Sequence, residues 1–185
     1  MKKKQGFSTR DLALMATFAA VGACFSLTTP LIRAVMPIPL PGFGGMVAIP
    51  VSTALLLIAA GLVRKVVSAT FTSTIMGVIE LPLQGGPGIL VVPSSILTGI
   101  VVDVFLWALR GNVDDSRSVA ASVAFMPTLA TTWFMWWGFK VLYGQIIPLI
   151  VFVAIFIGLH GILRITGGLL AYFILKRIRR LNLFE

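Results

Sequence analysis

Ile79-Glu80-Leu81-Pro82-Leu83-Gln84-Gly85-Gly86-Pro87-Gly88 is the stretch whose reading decides the fold. It opens with an acid inside an apolar run and closes in a Gly/Pro break before the next run starts at Ile89. A carboxylate in hydrocarbon is costly, and an ionisable residue within a membrane segment marks a functional site by default. Irregular backbone beside it is tolerated only inside protein or along a watered cavity. The stretch predicts a polar pocket near one face of a membrane bundle.

The composition agrees. The chain has 185 residues, 58% of them hydrophobic and 11% charged. One small soluble core cannot hold that much apolar surface, so an all-α integral membrane protein with a single domain over 1–185 is expected. The net charge of +9 does not point to nucleic acid, because the basic residues sit at the ends of apolar runs, where membrane orientation explains them. A single cysteine, Cys24, excludes an internal disulfide and a thiol-pair redox site. Lys2, Lys3 and Lys4 lead into a span too long for a signal core, so no cleaved leader is expected. There is no HExxH, GxSxG or Walker A motif, and one histidine cannot build a histidine-rich metal site. No catalytic residue, metal or cofactor is therefore expected, and any ATP hydrolysis must reside in another polypeptide.

Six apolar segments run at about 11–36, 46–63, 66–83, 89–109, 118–143 and 146–175. Each has roughly the 17–25 residues, or somewhat more, that a helix needs to cross a bilayer. Lys2, Lys3, Lys4 and Arg10 precede the first. Arg64 and Lys65 lie between the second and third, Arg110 and Arg117 between the fourth and fifth, and Lys176, Arg177, Arg179 and Arg180 at the end of the sixth. The other side carries only Arg33 and Lys140. This positive-inside pattern predicts six spans with both termini cytoplasmic.

Several side chains carry alternative readings. In span one, Ala16 and Ala20 are four apart, as are Ala19 and Ala23. Such a strip lets another helix approach closely, either within this bundle or from a separate membrane subunit. Span three places Ser73, Gly77, Glu80 and Gln84 on one helical face, with Glu80 about 21 Å from Val66 and so in the outer third of the bilayer. Lys140 and His160 are the bases that could match it. Asp103 in span four and Arg164 in span six reach similar depths, and a buried Asp103–Arg164 pair is the economical way to hold both. His160 reads as a hydrogen-bonded core residue or as the floor of a pocket. Trp133, Trp136, Trp137 and Lys140 share one stripe: an interfacial aromatic belt with a snorkelling lysine, or a wall that stacks on a flat cationic ligand near Glu80.

Six short spans, cytoplasmic ends and the alanine strip of span one resemble the substrate-binding S components of energy-coupling factor (ECF) vitamin transporters. The runs Leu62-Val63-Arg64-Lys65, Gly77-Val78-Ile79-Glu80-Leu81-Pro82-Leu83 and Leu97-Thr98-Gly99-Ile100-Val101-Val102-Asp103 are similar to the thiamine and hydroxymethylpyrimidine branch. The resemblance implies a subunit of a prokaryotic plasma membrane that captures a small vitamin near the outer face. Ala16, Ala19, Ala20 and Ala23 would touch a transmembrane scaffold subunit coupled to two ATPase subunits. Glu80 would bind a positive or donor group, while Gln84, Ser94 and Ser95 would supply hydrogen bonds. Trp133, Trp136 and Trp137 would stack on the ligand, and Phe43 would close the lid. The nickel and cobalt branch is disfavoured, since no histidine precedes His160. A stand-alone secondary transporter or channel remains the alternative. An intramembrane enzyme using Glu80, Asp103 and His160 is a further one.

Overall fold

In a computed structural model of the chain, the residues described here are 6–35, 47–82, 88–144 and 148–181. All the regular structure among them is helical: α1 Thr9–Ser26, α2 Thr28–Val35, α3 Ala48–Val63, α4 Ser68–Glu80, α5 Val91–Ala108, α6 Arg117–Tyr143, α7 Leu149–Ile155 and α8 Gly161–Arg180. A 3-10 turn, Gly88–Leu90, leads into α5, and a π segment, Phe156–His160, joins α7 to α8.

Local chemistry sets the boundaries. Ser8 and Asp11 form a reciprocal capping box at the start of α1. Ser116 accepts the Val119 amide at the start of α6. Gly144, at φ 62°, ends α6 in the left-handed conformation that glycine adopts readily. The α3–α4 connection is tighter than side chains favour: Arg64 and Val67 both hold positive φ, 51° and 73°.

Four stretches are long and apolar enough to cross a membrane: Thr9–Ile32, Val91–Ala108, Arg117–Leu142 and Leu149–Arg180. The expectation for the third segment is corrected. Helix α4 has 13 residues, about 20 Å of helix, against the 18 expected over 66–83. It starts after the left-handed Val67 and stops at Leu81, whose helical conformation the following Pro82 disfavours. Helix α3, at 16 residues, is also short.

The helices close into a ring. α1 packs on α3, α3 on α8, α8 on α6, α6 on α5, α5 on α4 and α4 on α1, and α3 also touches α4 across it. Glycines permit the closest approaches. A Cβ at Gly99 would stand 2.4 Å from the Thr70 Cα, and one at Gly168 would stand 2.5 Å from the Ala120 carbonyl oxygen. A buried cluster including Leu57, Ala69, Val102, Val123, Ala171 and Leu175 joins α3, α4, α5, α6 and α8.

One end of the bundle is basic and ionically tied. Asp114, in the α5–α6 turn, bridges Arg64 and Arg179. Lys65 meets Asp11 at 2.6 Å and donates to the Gly6 carbonyl. The starts of α1 and α4 and the ends of α3 and α8 therefore lie together. The opposite end holds Glu80, Leu90, Gly138 and Phe152.

Candidate ligand-binding site

Glu80 is the last residue of α4 and is buried, at 8% exposure. The Ser26 hydroxyl, at the end of α1, donates to its Oε1 at 2.5 Å. A hydroxyl aimed at a carboxylate makes a short, charge-assisted bond. Ser26 and its neighbour Thr29 are themselves buried. The acid is thus turned into the bundle and kept off the lipid face. Its level follows from packing one turn below: Gly22 lies against Met76 of α4 and Leu55 of α3, so Ser26 and Glu80 stand level with the first turn of α3.

Sequence reading missed Ser26, because it took 11–36 as one continuous helix. The helix breaks at Leu27, where the amide bonds back to Cys24 and Phe25. The signal available was Thr28-Thr29-Pro30, a turn-prone triplet directly after Leu27.

The other expected contributors are spread around this end. Ser95 packs against Gly77, one turn below Glu80, in the α4–α5 seam. Ser94 donates back to the Val91 carbonyl at 2.9 Å. The rings of Trp133 and Trp136 are 5.6 Å apart, and Lys140 Nζ lies 5.2 Å from the Trp136 ring. Trp133 and Trp137 are more than half exposed, on the outward side of α6, while Trp136 is half-buried. His160 stacks on Phe156, with ring centroids 4.2 Å apart, at the end of a ladder that continues to Phe152. Phe43 and Gln84 lie outside the described residues.

Two expectations are overturned. The Asp103–Arg164 pair does not form. Asp103 Oδ1 accepts the Ala69 amide at 3.1 Å, and Oδ2 accepts the Thr70 amide at 2.8 Å and its hydroxyl at 2.7 Å. The first amides of a helix lack partners within it and carry partial positive charge, so a carboxylate from α5 serves them as a cap. The alanine strip divides as well. Ala19 and Ala23 are fully buried against Met76, inside this bundle, and so cannot face another subunit. Ala16 is exposed and Ala20 half-exposed, one helical face away.

A separate cleft of about 150 Å³ opens at the basic end between α3, α4 and α5, lined by Arg64, Lys65, Ser68, Asp103, Trp107 and Asn112 among others. It meets the start of α4, about 18 Å along the helix from Glu80, and is a different place.

No protein-family model matches this chain, and no curated protein matches it. A solved structure does. It is described as an S-component of an ECF transporter, with a TM-score of 0.64 at 18% identity, over 96% of this chain and 86% of that one. This chain has the S-component fold. The ring of short and long helices is therefore a known architecture, here built on a largely different set of side chains.

Proposed function

We propose that this protein is the substrate-capture subunit of an ECF-type importer in a prokaryotic plasma membrane. In this reading, α1–α2, α3, α4, α5, α6 and α7–α8 make six passes, and the basic end with both termini faces the cytoplasm. The observation that carries the reading is the buried Glu80–Ser26 pair, at the less basic end of a bundle with the S-component fold. A buried carboxylate that accepts the Ser26 hydroxyl across a helix seam is suited to receive a cationic or hydrogen-bond-donating group from a guest.

The cargo is a small vitamin or precursor, with thiamine or its pyrimidine half as the named candidate. Trp136, the half-buried member of the tryptophan stripe, is the stacking residue, and Ser94, Ser95, Gln84, Phe43 and His160 complete the enclosure. Trp133, Trp137 and Lys140 are assigned to the membrane interface, where indoles are enriched. The exposed Ala16–Ala20 face of α1 docks a transmembrane scaffold subunit, and two ATPase subunits supply the energy.

Titration of the purified chain with thiamine, read by tryptophan fluorescence, tests this. Saturable quenching at micromolar ligand is expected, with a loss of about tenfold or more in affinity in Glu80→Gln, which keeps shape and removes charge. An unaffected Glu80→Gln protein would remove the acid from the site. Uptake by vesicles containing this chain alone would favour the stand-alone transporter instead.

A further inference from the structure

Arg164 lies within α8 on the interior seam. Gly161, Arg164, Gly168, Ala171 and Leu175 recur at spacings of three and four, and all but Arg164 are buried. The outward positions on the same helix, Ile162, Leu170, Phe173 and Ile174, are the exposed ones. Gly161 sits against Phe125 of α6, and Gly167 sits against Pro50 and Thr53 at the beginning of α3. Helices α3 and α8 run in parallel, since Gly61 meets Leu175 further along both. Arg164, one turn before Gly167, is therefore level with the start of α3. Glu80 and Ser26 reach the same level on the α1–α4 side, so the acid and the guanidinium flank the start of α3.

A guanidinium stays charged in a protein, and in hydrocarbon it needs a counter-charge or water. The chain has six acids. Asp11 is held by Ser8 and Lys65, Glu80 by Ser26, and Asp103 by the α4 amides. Asp114 is held by Arg64 and Arg179, and Asp115 by the Asn112 amide. The sixth, Glu185, is outside the described residues. No ion pair, hydrogen bond or ring contact engages Arg164 among the described residues. Arg180, at the basic end of the helix, is 16 residues away, about 24 Å, so the side chain cannot reach that surface.

We propose that Arg164 is the receptor for an oxyanion, a phosphate or carboxylate, carried by the captured molecule. The guanidinium fork matches two oxygens of either group. The cargo then presents a negative group toward α8 and a donor or cationic group toward Glu80. Among thiamine-like molecules this selects the phosphate ester over the bare alcohol. The inference rests on the capture reading for the ligand's identity; the charge accounting stands without it.

Two measurements on the purified full chain in detergent separate these. Orthophosphate at about 50 mM, against chloride at equal ionic strength, is expected to raise the Tm of the wild type by several degrees and leave Arg164→Met unmoved. Thiamine monophosphate is expected to bind the wild type about tenfold more tightly than thiamine. Arg164→Lys, which retains charge without the fork and covers the case in which the Met variant does not fold, should narrow that gap to about threefold. No phosphate effect on the wild type, or an equal effect on wild type and variants, overturns the assignment. An Arg164-dependent phosphate effect with neither thiamine compound binding would leave the oxyanion site standing and remove the vitamin reading. Thiamine binding with no dependence on phosphate or on Arg164 would do the reverse.

Discussion

The two ends of the bundle treat charge differently. At the basic end every acid among the described residues is committed. Asp114 joins the α5–α6 turn to α3 and α8, Asp11 joins α1 to Lys65, and Asp103 closes the first turn of α4. At the other end two ionisable groups, Glu80 and Arg164, flank the start of α3, and no ion pair joins them. One end is satisfied by its own chain and holds the helices in register. The other holds its acid against Ser26 and leaves its guanidinium without an ion pair among the described residues, the difference on which the proposed oxyanion site rests.

That contrast can be broken by substitution, and the largest effect is expected at the tied end. Asp103→Ala strips the cap from α4 and leaves two amides and a hydroxyl without their acceptor. It should lower stability by about 1–3 kcal/mol, read as a fall in Tm. Equal stability in this variant would mean that α4 does not depend on α5 for its start. Next, Ala19→Leu inserts bulk against Met76 and should cost about 1–3 kcal/mol. Ala16→Leu should leave Tm unchanged and act only on co-purification with a scaffold subunit. If the two variants behaved alike, the division of the alanine strip would be wrong. Ser26→Ala should weaken ligand binding by a few-fold, less than Glu80→Gln, since it removes a bond that positions the acid and leaves the acid itself in place. Smallest is Arg179→Ala. Its guanidinium is well exposed, so a loss under about 1 kcal/mol that shrinks further in high salt is expected.

Much of this was legible in the residues. Apolar runs marked the helices, and an acid beside a Gly/Pro break marked the end where the bundle keeps a buried carboxylate. The misreadings share a cause. Counting charged side chains at equal depth pairs Asp103 with Arg164, but its partners are two backbone amides and the Thr70 hydroxyl, and no residue type advertises a free amide. Its true partner is signalled only by the fold, through Gly99 one turn away, where α5 comes close enough to cap α4. The alanine strips differ by about 60° around α1, too little for spacing alone to tell which one faces α4. The tryptophan stripe had the same ambiguity of face. Ser26 was hidden because a helix break inside an apolar run leaves hydropathy almost unchanged.

The π segment at Phe156–His160 has a consequence for Arg164. Above it the inward positions are Phe152 and Phe156, four apart; below it they resume at Gly161, five further on. The wider turn absorbs one additional residue and re-phases the helix. Wound as an ordinary α-helix with the same residues, everything downstream would turn by about 100° and carry the guanidinium out among the fatty tails. Deleting Gly158, by contrast, would restore ordinary winding and leave Gly161 inward, four after Phe156. The wide turn thus decides which way α8 presents its charge.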